Sequence, residues 1–258
     1  MPIEIFAALS GAISSFLSGL LGIGGGIVLT PLLLYAPALV GAPVLPVKII
    51  TGLTIVQAIS GSLLGSLRHH RYGHVSMRLV RIMAPAGAAA SLIGALVSSA
   101  APDRLLIAIF AGFALVGAAA LLLPEREPDR AIDELDVNVP LAIAIAVVVG
   151  FFGGMVGIGA IAFIIAALVY LLRMPVRIAI GTSLGIGLFS AVAALVGKAA
   201  TAQIDPPLAA IVFGAALVAS PVGAAVSRRT RPRVLLLLLS ALVALSGLRM
   251  AWQAVTGG

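Results

Sequence analysis

Two stretches of this chain, residues 5 to 47 and 137 to 172, contain no Asp, Glu, Lys or Arg, and each is too long to cross a bilayer once. Each also carries a glycine cluster partway along, Gly22-Ile23-Gly24-Gly25-Gly26 in the first and Gly157-Ile158-Gly159 in the second. Lipid offers no water to an unpaired peptide group, so a backbone break inside an apolar run persists only where protein or a wet cavity satisfies it. Further uncharged stretches at 49 to 67, 82 to 102, 105 to 124, 178 to 197, 206 to 227 and 234 to 248 mostly match the ~20 residues of a spanning helix. Only 10% of the 258 residues are charged, against about 25% in soluble domains. The chain therefore reads as an all-α polytopic membrane protein.

The apolar N-terminus has no preceding Lys or Arg and no small-residue cleavage pattern, and it outruns a signal-peptide core, so it is expected to stay in the mature protein. There is no cysteine, hence no disulfide, thiolate nucleophile or Cys-based metal site. The net charge of +7 comes from cations in short loops beside apolar spans. There they set orientation, and nucleic acid is not an expected partner.

Offset by 129 to 135 positions, the chain matches itself in order. Gly19, Gly22 and Gly24 fall on Gly154, Gly157 and Gly159; Pro46-Val47-Lys48-Ile49 on Pro175-Val176-Arg177-Ile178; Gly52-Leu53-Thr54-Ile55 on Gly181-Thr182-Ser183-Leu184; Ser91 and Gly94-Ala95 on Ser220 and Gly223-Ala224. The expected organisation is an N-terminal membrane repeat at 1–123, a charged cytoplasmic linker at 124–138 and a C-terminal membrane repeat at 139–258. If each long run crosses once, the 16 Lys and Arg split evenly between the two faces. If each turns back at its glycines, only Lys48, Arg104, Lys198 and Arg249 stand against the other twelve, the asymmetry that positive-inside orientation requires. Parity alone leaves a re-entrant hairpin and two full spans equivalent. The hairpin reading makes the repeats inverted, a recurrent transporter architecture. Each repeat is then a glycine-broken hairpin plus three helices: 3–22, 25–38, 46–67, 79–99 and 103–123, then 139–156, 159–172, 176–198, 206–227 and 232–253. Both termini are expected outside the cytoplasm, and Pro85 and Pro221 should kink their spans.

A helix restarting after each glycine turn aims its free amide groups and positive dipole end into the break, an anion site made from backbone. Gly22, Gly24, Gly25 and Gly26 with Gly157 and Gly159 are the candidates, against the plainer role of small residues in helix packing. Thr51, Thr54 and Gln57 share one side of a helix and are candidates to line a pore; Thr182, Ser183 and Ser190 occupy the corresponding helix of the second half. Their competing role is to bond a carbonyl one turn back. Lys48 and Arg177 match by repeat and would attract anions at the two mouths, or simply snorkel to headgroups. His69, His70 and His74 fall in one expected loop among arginines, where no metal site is expected. No cofactor is implied, no catalytic constellation is visible, and no Asp or Glu lies clearly within a span.

The break at 22 to 26 followed by Pro31, the Gly181-Thr182-Ser183-Leu184 motif, and the repetition of both patterns resemble the TauE/SafE family of sulfite exporters and sulfonate permeases. The resemblance covers nearly the whole chain. It implies a multi-pass carrier of the bacterial inner membrane for sulfite, sulfonates and related organic anions. The family's glycine motif lands on Gly22, Gly24, Gly25 and Gly26, its later counterpart on Gly157 and Gly159, and its Thr-Ser-Leu motif on Thr182 and Ser183. Ala160 stands where the first break has Gly25, and Leu53-Thr54 replaces Thr-Ser in the first half, so the halves are expected to contribute unequally.

The expected function is secondary transport of small anions by alternating access, with the two breaks meeting near the midplane. The alternative is a membrane-embedded scaffold or subunit; an enzyme is not expected. The expected partners are a small anionic substrate and the lipid bilayer, with assembly as a homo-oligomer left open.

Overall fold

The computed structural model describes residues 1–21, 26–71, 73–122, 138–157 and 161–227, with 241, 244, 245 and 247–252 near the C-terminus. Gly22, Gly24, Gly25, Gly159, most of the expected linker and much of the expected last helix lie outside the described residues. Those described form helices without strands: α1 (Ile3–Leu21), α2 (Gly26–Tyr35), α3 (Pro37–Val40), α4 (Val47–Arg71), α5 (Met77–Ser98), α6 (Asp103–Leu122), α7 (Val139–Val156), α8 (Ile161–Tyr170), α9 (Val176–Ala200) and α10 (Pro206–Ser227). Six of them, α1, α4, α5, α7, α9 and α10, are long and apolar enough to cross a membrane. Ile5, Leu9 and Ile13, spaced one turn apart, are exposed along α1 and give it a lipid-facing stripe.

The helix starts follow local chemistry. Asn138 Oδ1 accepts the Leu141 amide at 3.1 Å ahead of α7, and Asp205 Oδ1 accepts the Leu208 amide at 3.0 Å ahead of α10. The α4–α5 and α9–α10 turns are built alike. Gly73 and Ala202 both take positive φ, and the amides of His74 and Gln203 donate to the carbonyls of His69 and Lys198.

The first long run does turn back: the Met1 ammonium donates to the Gly41 carbonyl at 3.1 Å, so the start of α1 and the end of α3 share one end of the bundle. In the second, Leu141 and Ala142 at the start of α7 share an apolar cluster with Leu168 and Leu172 from the end of α8 region.

Close helix packing rests on small residues, and it recurs across the two halves. A Cβ at Gly19 would overlap the Ser220 carbonyl, and one at Gly154 would overlap that of Ser91. Gly223 abuts the Phe16 carbonyl as Gly94 abuts that of Phe151, and Gly52 abuts Gln203 as Gly181 abuts His74. Helix directions follow from such pairs. Gly11 meets Val212 and Gly19 meets Ser220, so α1 and α10 run in the same sense. Gly150 meets Gly87 and Gly154 meets Ser91, so α7 and α5 do too, and contacts of Gly185 with Val80 and Gly197 with Ala95 align α9 with α5. α4 and α9 run oppositely, because Gly65 faces Leu184 while Thr51 bonds Lys198.

α4 extends four residues past its expected end, so His69 and His70 belong to its last turn and not to a loop. α9 likewise runs two residues past its expected end, to Ala200, so Lys198 lies within its last turn and not at its final residue.

Candidate functional site

Four helix ends converge at one end of the bundle: the starts of α4 and the finishes of α5, α7 and α9. α7 stops at Gly157, whose φ of 80° is the left-handed C-cap conformation that glycine adopts freely. Its α-carbon is pressed on α4, where a Cβ would overlap the Thr51 carbonyl and lie 2.5 Å from Thr54 Oγ1. Glycine is thus required twice over, by conformation and by space.

Against this corner lies Lys198, fully buried in the last turn of α9. Its ammonium donates to Thr51 Oγ1 at 2.9 Å, and to Ser98 Oγ, the Met155 carbonyl and Gln203 Oε1 at 3.1 Å each. Ser98 and Gln203 are bonded to each other at 3.0 Å, and the Gln203 amide nitrogen donates to the Ala95 carbonyl at 3.2 Å and to Thr201 Oγ1 at 2.7 Å. All four partners of the ammonium are neutral. The described residues supply it no carboxylate, since Asp205 caps α10 and Glu4 and Asp103 are exposed. Lys48, one turn before Thr51, donates to the Ser99 carbonyl at 2.5 Å at the same end. Here too Arg249 stacks over Tyr35, 4.1 Å from the ring centroid.

The other candidates disperse. Thr51 and Thr54 do bond carbonyls one turn back, those of Lys48 and Thr51, and Ser183 does the same to Ile180. Gln57 donates to Ser14 and Ser15 Oγ at 2.6 and 2.8 Å and ties α4 to α1. Thr182 Oγ1 accepts the Ser76 amide at 3.0 Å at the opposite end of the bundle. Ser190 faces Gly87 of α5, its buried hydroxyl without a hydrogen-bond partner among the described residues. Gly26 begins α2 and is buried. Arg177 sits in the first turn of α9, its side chain outside the described residues.

Of the two glycine motifs, Gly26 and Gly157 are among the described residues. Gly157 lies at the level of Thr51, eight residues from the middle of α4 and so about 12 Å from it. Thr182, level with the far end of α4, is about 24 Å from Thr51 along the bundle axis. His69 and His74, 129 positions before Lys198 and Gln203, have rings 6.2 Å apart beside Gly181.

Sequence reasoning missed Lys198, Ser98 and Gln203. One signal was available: Lys198 is the sole Lys or Arg between Arg177 and Arg228, a span that otherwise reads as two membrane helices.

The model of the family described as sulfite exporter TauE/SafE matches residues 7–250. The chain belongs to the TauE/SafE family. Among its relatives, the chain is 24% identical over 263 residues to the probable membrane transporter protein YunE of Bacillus subtilis, covering 95% of this chain and 96% of that protein. It is 30% identical over 190 residues to a probable membrane transporter protein of Xylella fastidiosa, covering 72% and 70%. It is 24% identical over 250 residues to the probable membrane transporter protein MJ0441 of Methanocaldococcus jannaschii, covering 93% and 92%. No solved structure matches. This TauE/SafE protein is a multi-pass membrane transporter, and its buried Lys198 cluster is the polar feature inside its bundle that most needs a chemical explanation.

Proposed function

We propose that the protein is a secondary transporter of small anions, with sulfite, sulfonates or related organosulfur oxyanions as substrates, working by alternating access between inverted repeats at 1–123 and 139–258. The observation that carries the reading is the duplicated packing with reversed sense. α4 and α9 are repeat equivalents and run antiparallel; α1 runs with α10 while its equivalent α7 runs with α5, the equivalent of α10. Two arrangements related in this way have comparable energies when each half exchanges roles, which is the structural basis of rocking between inward and outward states.

The loop charges support the same arrangement. Lys48 and Lys198, two of the four cations that a hairpin topology assigns to one face, lie at a single end with Ser98 and Ser99. With that end outside, both termini are non-cytoplasmic and the cation-rich loops face the cytoplasm. The anionic character of the substrate draws on the glycine motif before α8, since a helix start has amide groups without intrahelical acceptors, and on the family's description. The family is described as one of sulfite exporters, and organosulfonates present the same oxygen-rich anionic group.

Counterflow in proteoliposomes preloaded with sulfite, thiosulfate, an alkyl sulfonate or an aryl sulfonate tests the reading. Saturable exchange of at least one is expected; no saturable flux of any anion refutes it.

A further inference from the structure

We propose that the Lys198 ammonium is the fixed cation of an oxyanion-binding site formed with Thr51, Ser98 and Gln203, and that its neutral protein ligands hold its place until an anion arrives.

The charge is the first reason. A buried ammonium surrounded by neutral oxygens has its hydrogen bonds satisfied but its charge uncompensated, which carries a large desolvation cost. A purely structural crosslink between helices does not need a cation there; a Gln or a Met would join or fill the same space at lower cost. Lysines inside membrane bundles ordinarily face a partner charge or a ligand path. Among the described residues Lys198 has neither a carboxylate nor exposure to water.

The ligand set is the second. Thr51 and Ser98 accept from Lys198; the Thr51 proton goes to the Lys48 carbonyl, and the single Ser98 proton has the Ala95 carbonyl and Gln203 Oε1 as its acceptors. Both hydroxyls can rotate to donate to an arriving oxyanion, and the Gln203 amide can add an N–H by giving up its 3.2 Å bond to the Ala95 carbonyl. The ammonium then trades neutral oxygens for anionic ones, a change from ordinary to doubly charge-assisted hydrogen bonds. The groups suit a compact oxyanion with several equivalent oxygens.

Room for it comes from the third observation. A small, mostly apolar cavity borders Thr51 between α2, α4 and α6, lined also by Thr30, Ile50, Phe110 and Val156 but not by Lys198, Ser98 or Gln203, and Thr30 Oγ1 is buried there without a hydrogen-bond partner among the described residues. The cavity has room for about one water at most and touches the cluster only at Thr51, so an oxyanion must spread α2 and α6 from α4 to enter and to meet Lys198. Binding is thereby linked to movement of the hairpin. Thr30 then supplies the remaining hydroxyl.

This inference rests on the anion-transport reading but is separable from it. The experiment measures thermal unfolding of the purified protein in detergent, titrated with sodium sulfite, thiosulfate, sulfate and ethanesulfonate against chloride at matched ionic strength. At least one oxyanion should raise the unfolding temperature saturably. Lys198→Met should unfold at or above the wild-type temperature without anion and lose the oxyanion response, a fall in affinity of about 10- to 100-fold; Lys198→Arg should keep a weakened response. If Lys198→Met fails to fold, Ser98→Ala and Thr30→Val serve in its place, and each should weaken the oxyanion response in folded protein. A full response in Lys198→Met, or in both substitutes, overturns the assignment, as does a wild type that responds to none of the oxyanions. Flux in wild-type proteoliposomes with an unchanged Lys198→Met response sinks only the lysine site. A Lys198-dependent response without flux sinks only the transporter reading.

Discussion

Lys198 and Thr51, 147 positions apart, are joined by a hydrogen bond of 2.9 Å from the lysine ammonium to the threonine hydroxyl oxygen. The bond brings the finish of α9 to the start of α4, and so makes two repeat-related helices antiparallel. Sidedness follows. The chain has no native cysteine, so single replacements can be labelled in intact and permeabilised cells. Ala100→Cys and Ala199→Cys should react with an impermeant maleimide from one side, and His70→Cys and Leu171→Cys from the other. Ala100 and Ala199 labelling from opposite faces would refute the inverted arrangement.

Gly154 and Gly94 carry the α5–α7 contact, where an added Cβ would overlap the carbonyls of Ser91 and Phe151. Gly94→Ala and Gly154→Ala should each destabilise by about 1–3 kcal/mol as the helices are forced apart. Gly112 has nothing within reach of an added Cβ, and Gly112→Ala should be neutral or stabilising by up to about 1 kcal/mol. Thermal unfolding in detergent compares the three variants directly.

Gly157→Ala meets both a positive φ and the Thr51 carbonyl. The left-handed backbone alone costs about 1–2 kcal/mol for a residue with a Cβ, and the overlap adds to it, so transport should be lost along with stability. Gly41 has a φ of 63° and no atom near its would-be Cβ. Gly41→Ala should suffer the backbone cost alone and keep its activity, which proteoliposome flux would test.

Gln57 is expected to be structural. Replacing it with Leu removes its bonds to Ser14 and Ser15 and should lower stability by about 1 kcal/mol, the scale of an interhelical hydrogen bond in a membrane bundle. The concentration of anion giving half-maximal flux should not change. A shift in that value with unchanged stability would return Gln57 to the pathway.

Much of the helical architecture is legible in the chain because lipid imposes a length on every apolar run. The expected 103–123 and 139–156 became Asp103–Leu122 and Val139–Val156. The errors fall where charge was read as a loop: α4 continues through Arg68 to Arg71, since cations at a membrane helix end can reach the interface without ending the helix. The site was less legible. Thr54 and Ser183 match by repeat and keep matching roles, each bonding the carbonyl one turn back, so a shared motif here marked shared local geometry. Gly157 was found because a break in an apolar run is visible locally. Lys198 was not, because its acceptors come from residues 51, 98, 155 and 203, and nothing in the adjacent Gly197 or Ala199 distinguishes a buried ammonium from a snorkelling one.

The sequence by itself determined the membrane solvent, most of the described helices and the end of α7 at Gly157, all of them consequences of apolar run length and of residue type along a single helix. The tertiary structure alone decided that α4 and α9 lie antiparallel at Lys198, that Gly157 sits near one end of α4 and not at its middle, and that Gln57 serves α1. Those outcomes depend on which small residues let two backbones touch and on where a buried charge finds oxygen, and both are properties of pairs of segments far apart in the chain.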